Sequence, residues 1–200
     1  IFWINWDQIQ QQVYLPSCGY YYTSNLGTAT SRGFDLQAQW AVGGGLILSG
    51  TAGLTDVRYT KTAFDGTGRP PNYGIILAKA GDSLATPEWT VTLAAEYDFE
   101  ITDDTNAYAR LDYQFSGSYY RTGSDQVFST QPNIRLAPAT HYVTARVGMK
   151  EGPWDVSGFI DNLLNAQTSL YRYQDTQYSP DLRNETFRPI TVGVTAEYKF

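Results

Sequence analysis

Hydrophobic and polar residues alternate along this chain in strand-length stretches, and the clearest stretch is the last. Ile190, Val192, Val194, Ala196, Tyr198 and Phe200 fall at every second position, with Thr191, Gly193, Thr195, Glu197 and Lys199 between them. Successive side chains of a strand point to opposite faces, so this pattern predicts a strand with one apolar and one polar wall. A soluble antiparallel sheet with one buried face would alternate in the same way. The distinguishing feature is that the apolar stripe runs to the final residue, because chain ends fray unless something holds them. A barrel in a membrane supplies that restraint: its outer face meets lipid and every strand is paired.

The same alternation predicts seven further strands upstream. The first covers roughly 1–14, with Phe2, Ile4 and Trp6 on one face and Trp3, Asn5 and Asp7 on the other. The second, about 30–42, sets Phe34, Leu36, Ala38, Trp40 and Val42 outward against Asp35, Gln37 and Gln39. After the turn Gly43-Gly44-Gly45, the third runs over about 46–61, with only Ile47 out of phase. The fourth, about 87–100, opposes Trp89, Val91, Leu93, Ala95, Tyr97 and Phe99 to Thr90, Thr92, Glu96 and Asp98. The fifth, about 106–120, opposes Ala109, Leu111, Tyr113 and Phe115 to Arg110, Asp112 and Gln114. The sixth carries Val143, Ala145, Val147 and Met149, and the seventh starts at Trp154.

Two regularities follow. The connections alternate between long (rich in Gly, Pro and Tyr) and short, as in outer-membrane barrels with short periplasmic turns and long external loops. From the second strand onward the apolar faces are expected to carry no charge, while Asp, Glu, Arg and Lys sit on the opposite faces. Trp40, Trp154, Phe99 and Phe200 fall beside the short turns, and Trp89 and Tyr119 near the long loops, as interface girdles would.

Composition fits this architecture. Aromatics make up 15% of the chain, with 16 Tyr and 5 Trp, yet only 17% of residues are charged. The mean hydropathy is nevertheless -0.36. Polarity therefore comes from Thr, Ser, Gln, Asn and Tyr, which suits a lipid-facing outside around a watery inside. A net charge of -6 argues against nucleic-acid binding, which needs a clustered basic face. The apolar runs, such as Gly74–Ala78, are far too short for a membrane helix. Cys18 stands alone, which excludes an internal disulfide or a cysteine metal site. The chain starts in mid-strand without a Met or signal peptide and is expected to be a piece of a longer protein.

Four segments carry a family resemblance. Asn25-Leu-Gly-Thr-Ala-Thr-Ser-Arg-Gly-Phe-Asp35, Thr86-Pro-Glu-Trp89, Asp161-Asn-Leu-Leu-Asn165 and Arg188-Pro-Ile-Thr191, the last completed by Lys199-Phe200, come in the order and spacing of TonB-dependent outer-membrane receptors. Asp35 stands where the family more often has Glu. The resemblance implies an all-β, up-and-down transmembrane barrel of about 22 strands with a plugged lumen. Residues 1–200 would be about its last eight strands, without the plug domain, the TonB-contacting segment or the earlier strands. It implies active uptake of a scarce ligand (siderophore-iron, cobalamin or carbohydrate) across the Gram-negative outer membrane, with no enzymatic activity and no cofactor. The partners implied are outer-membrane lipid, the barrel-assembly machinery, the small-molecule or metal-chelate ligand, and the TonB complex through the missing N-terminal part. The assembly machinery would read Tyr198 and Phe200. A stand-alone eight-stranded barrel with a structural or adhesive role is the alternative.

Candidate chemistry is sparse. His141, the only histidine, enters the sixth strand and is read as a rim residue beside Tyr142 rather than a catalytic base, because no distinctive nucleophile lies near it in sequence. Asp103-Asp104 and Glu96, Asp98 and Glu100 are read as a solvated turn and a lumen wall rather than a calcium site. In the long loops, Tyr20, Tyr21, Tyr22, Tyr171, Tyr173 and Tyr178 with Arg69, Arg121 and Arg172 are candidates for gripping an aromatic, anionic or sugar ligand.

Overall fold

The computed structural model describes residues 1–15, 20–25, 27–64, 74, 76–121, 135–174 and 180–200. The first strands are β1 (Phe2–Asp7), β2 (Gln10–Leu15), β3 (Tyr20–Asn25), β4 (Thr28–Gly43) and β5 (Leu46–Tyr59). They are followed by β6 (Ala63–Phe64), β7 (Ile76–Ala78), β8 (Trp89–Thr102), β9 (Thr105–Ser116), β10 (Tyr119–Tyr120) and β11 (Leu136–Ala137). The last are β12 (Thr140–Glu151), β13 (Trp154–Asp161), β14 (Ser169–Gln174), β15 (Leu182–Thr186) and β16 (Thr191–Tyr198). Among the described residues there is no helix.

Eight of these strands form one antiparallel sheet in the order β1-β4-β5-β8-β9-β12-β13-β16. Each strand pairs with the next wall strand in the chain, as the predicted up-and-down order requires. β1 and β16 lie at the two edges and do not pair with each other, so the sheet is an open wall. The remaining strands pair as β2-β3, β6-β7, β10-β11 and β14-β15, one short ribbon within each long connection. The alternation predicts loops for β3, β6, β7, β11, β14 and β15, and extends the first and fifth wall strands over β2 and β10. The stretches predicted as loops are too short or too uniformly polar and aromatic to present a periodic apolar face. The predicted first strand is also broken, at Gln8 (φ 57°), where the chain leaves the wall. Ile9 then turns into a small apolar cluster with Ala29, Tyr59 and Ala78.

The short turns need little sequence. In the first, Gly43, Gly44 and Gly45 all have positive φ (107°, 60° and 88°), which only glycine adopts cheaply. A β-carbon on Gly45 would also fall on the carbonyl of Asp98, whose N–H donates to the Gly45 carbonyl at 3.0 Å.

Register carries one polarity across seven of the eight wall strands, β4 to β16. Trp40, Leu48, Ala95, Leu111, Ala145, Ile160 and Val192 are successive cross-strand partners through seven strands. One residue along, Glu96, Arg110, Arg146, Phe159 and Gly193 form the corresponding row on the other face. The apolar row is not buried by protein: Val192 and Val194 are 71% and 76% exposed, and Trp40, Leu36, Leu93 and Val147 are exposed as well. An exposed apolar surface of this extent is an interaction surface, and only an apolar medium covers it uniformly. Aromatic pairs mark its margins. Trp154 meets Tyr198 at 4.9 Å and Tyr97 stacks on Phe99 at 5.3 Å beside the short turns, while Phe34 meets Trp89 at 5.9 Å toward the long connections.

One expectation fails at the long-connection ends of β4 and β5. Arg32 and Asp56 are partners in the same register as Phe34 and Leu54, and so share their face. Arg32 Nε and Nη2 donate to Asp56 Oδ2 at 3.0 and 2.9 Å, and Arg58 Nε lies 2.7 Å from Asp56 Oδ1. The apolar face is therefore charge-free only from Phe34 and Leu54 toward the short turns. Beyond that boundary the polarity inverts. The other face carries Ala29, Val57 and Tyr59, packed with Ile9, Ala78 and Leu84. The partners of Phe2, Ile4 and Trp6 are Gly33, Ser31 and Ala29, which places the apolar side of β1 on this inner face. Past the apolar band, β4 and β5 thus carry charged residues on one face and are covered by their own connections on the other.

Candidate functional site

The inner wall is a polar surface organised around Arg110. Its Nη1 donates to Glu96 Oε2 at 2.7 Å across the β8–β9 pair, and its Nε and Nη2 reach both oxygens of Asp112 at 2.9 and 2.7 Å. Glu96 is its register partner and Asp112 lies two residues on, so alternation alone brings the three together. Thr51 and Thr92 share a hydroxyl hydrogen bond at 2.5 Å. Thr51, Thr92, Arg110 and Asp112 line a shallow groove of about 170 Å³ together with Gln37, Ser49 and Gln114.

Toward the chain end, aromatic rings lie over glycines. Tyr108 crosses Gly148 and donates its hydroxyl to Asp155 at 3.0 Å, with the Lys150 ammonium 4.9 Å from its ring centre. Phe159 lies across Gly193, and Arg146 sits 5.4 Å over Phe159 while donating to Ser157 Oγ at 2.8 Å. This surface offers hydrogen-bond donors and acceptors and paired ions. Among the described residues no group of three or more His, Cys, Asp or Glu is placed to hold a metal.

His141, at the start of β12, pairs with a tyrosine on the neighbouring strand and not with the Tyr142 beside it in sequence. Tyr142 follows it but takes the opposite face, where it packs on Phe187 at 4.8 Å. His141 Nδ1 instead hydrogen-bonds Tyr113 Oη at 2.8 Å across the β9–β12 pair, and its ring lies 5.1 Å from Phe115. Strand alternation separates sequence neighbours and joins cross-strand partners.

The loop candidates divide among the ribbons. Tyr20, Tyr21 and Tyr22 form part of β3, where Tyr22 is exposed. Tyr171, Arg172 and Tyr173 lie in β14. Arg69 and Tyr178 lie outside the described residues. Arg121 and Tyr171 are brought together, with the guanidinium 5.7 Å over the ring. Arg172 is turned onto its own hairpin, where Nε donates to Ser169 Oγ at 3.0 Å and contacts Asn184 Oδ1 at 3.3 Å. Ser169 Oγ also bonds Asn184 Oδ1. The Arg135–Tyr120 pair, at 4.4 Å, was not anticipated, because Arg135 lies in a stretch with no pattern of its own.

The Asp161–Asn165 stretch has a structural role. Asn162 has positive φ (53°) and is 0% exposed. Its Nδ2 donates to the carbonyls of Ala166 and Arg188 at 3.1 and 2.9 Å, and its Oδ1 accepts the Ala166 N–H at 2.8 Å. Asn165 Oδ1 accepts from Ile190 N at 3.3 Å. Two asparagines thus clamp the exit of β13 to the entry of β16.

An open antiparallel meander with one lipid-compatible face, one polar face and ribboned connections at one end defines a segment of a β-barrel wall. Residues 1–163 match the TonB-dependent receptor-like β-barrel family, and the chain belongs to that family. Among solved structures it resembles the ferric yersiniabactin uptake receptor FyuA from Yersinia pestis, with a TM-score of 0.69 and 17% identity over 90% of this chain and 25% of that one. It also resembles the ferric-catecholate import receptor Fiu from E. coli K12, with a TM-score of 0.63 and 19% identity over 99% of this chain and 24% of that one. At these identities the likeness is one of fold. The chain spans about a quarter of the length of either receptor. No curated protein matches it by sequence.

Proposed function

We propose that residues 1–200 are the C-terminal part of the barrel wall of an outer-membrane receptor that takes up a ferric chelate with TonB-coupled energy. The observation that supports this most is the polarity of the wall within a family-matched chain. An apolar row crosses seven strands on one face, and the Glu96–Arg110–Arg146 row runs one residue away on the other. In this reading the apolar face meets outer-membrane lipid, the polar face lines a lumen, and the four ribbons stand on the cell surface. The loop residues Tyr20, Tyr21, Tyr22, Arg69, Arg121, Tyr171, Arg172, Tyr173 and Tyr178 are the pool from which ligand contacts are drawn. The chelate class is favoured because the structural neighbours are receptors for ferric yersiniabactin and ferric catecholates. The open edges at β1 and β16 favour a larger ring over a barrel closed by these eight strands.

The test is uptake of radiolabelled ferric chelates, ferric catecholates and ferric yersiniabactin among them, by cells carrying the complete protein. Uptake of at least one chelate that vanishes when the TonB complex is removed is expected. Correct insertion with no TonB-dependent uptake of any ferric chelate would contradict the ligand class. A signal peptide directly upstream of Ile1 would support the small-barrel alternative, whereas several hundred residues including a plug would support the receptor.

A further inference from the structure

We propose that Arg121 locks hairpins β10–β11 and β14–β15, which belong to two different long connections, into a single moving unit. The backbone N–H of Arg121 closes its own hairpin by donating to the Arg135 carbonyl at 2.9 Å. Its side chain then spans both ribbons. Nη1 donates to the Leu136 carbonyl in β11 at 3.2 Å, and Nη2 donates to the Leu170 carbonyl in β14 at 2.6 Å, 49 residues away in sequence. The same guanidinium lies 5.7 Å over the Tyr171 ring.

This geometry needs arginine. A planar fork aims two N–H groups at two separate carbonyls while its face covers a ring, whereas an ammonium is a point charge on a flexible stem. Hydrogen bonds from an ionised donor are also the stronger kind. The link matters because the partners are weak alone. The ribbon of β10 and β11 has two residues in each strand, and an isolated two-stranded hairpin is at best marginal in water. Arg172, Ser169 and Asn184 hold β14–β15 together beside the Leu170 carbonyl, so that hairpin presents a fixed acceptor. A displacement of either ribbon is then transmitted to the other, and the coupling is reciprocal. That the unit moves when ligand arrives rests on reading these connections as ligand-facing. The lock itself rests on the guanidinium geometry.

Hydrogen exchange on the complete, ligand-free protein separates the two. Arg121→Ala is expected to raise exchange by roughly tenfold, the loss of about one charge-assisted hydrogen bond, in β14 as well as in β10 and β11. Arg121→Lys should loosen the same segments, which provides the reading should the alanine variant fail to fold. Asn184→Ala disturbs β14–β15 from its far side, and should loosen β10–β11 only while Arg121 is present. If Arg121→Ala and Arg121→Lys leave β14 unchanged, or if the effect of Asn184→Ala on β10–β11 persists without Arg121, the lock does not exist. None of these readouts involves ligand, so failure of the ferric-chelate reading leaves them intact.

Discussion

Tyr108 lies across Gly148, so close that a β-carbon at position 148 would stand 2.5 Å from the ring's Cζ. The space left by the absent side chain lets the hydroxyl cross to Asp155 on the next strand, 3.0 Å away. Gly148→Val should therefore expel the ring, break that hydrogen bond and cost about 1–3 kcal/mol, the usual range for overpacking. Tyr108→Phe removes only the hydrogen bond and should cost less, about 0.5–1.5 kcal/mol. Denaturant unfolding of the complete barrel gives both values. Equal costs would mean that the ring is not displaced.

The two faces of β9 predict opposite tolerances for the same residue. Leu111 is exposed on the apolar face, and Gln114 lines the polar groove. If the apolar face meets lipid, Leu111→Arg should cost about 2–4 kcal/mol near the bilayer midplane. Gln114→Arg should leave the heat-resistant folded form nearly unchanged on a gel. Equal losses for the two variants would overturn the face assignment.

Asn162 should be intolerant for two separable reasons. Asn162→Ala leaves the Ala166 and Arg188 groups without their side-chain partner, at about 1–3 kcal/mol per buried unsatisfied group. It also places alanine at positive φ. Asn162→Gly removes the second problem and not the first. Thermal unfolding should rank wild type above Gly and Gly above Ala. A glycine variant as stable as wild type would show that the clamp contributes nothing beyond the backbone conformation.

The wall was legible in the sequence because each strand carries its own period-two record, as in Leu93, Ala95, Tyr97 and Phe99 against Thr92, Glu96 and Asp98. The ribbons were not. Tyr20–Asn25 is polar and aromatic throughout, and it pairs with Gln10–Leu15 without an alternating face of its own. The polarity inversion at Arg32 and Asp56 is not legible strand by strand, because the alternation of one strand does not say where the apolar band stops. The sequence places His141 at the rim beside Tyr142 but does not show that the sheet joins it to Tyr113. Of the loop candidates, tyrosine and arginine content pointed to Arg121 and Tyr171. Only the fold shows that they meet each other.

The end of the chain is the proposed assembly signal. Tyr198 packs between Trp154 and Phe200, at 4.9 and 5.2 Å, and Lys199 N–H donates to the Pro153 carbonyl at 2.9 Å. Deleting Phe200 should lower the amount of folded protein in the outer membrane while leaving the ligand affinity of the folded fraction unchanged. Quantifying folded barrel and chelate binding in parallel separates the two effects. Normal insertion of the truncated chain would count against the signal.

The central claim is that one face of this wall meets lipid and the other a lumen. Site-directed spin labels on β16 of the complete protein in bilayers, with Cys18 replaced by Ser, test it most directly. Labels at positions 192, 194 and 196 should be accessible to oxygen dissolved in the bilayer and shielded from a water-soluble nickel reagent. Labels at 191, 195 and 197 should show the lower oxygen accessibility, giving a period of two residues along the strand. Uniform accessibility across these positions, or the opposite phase, would contradict the account.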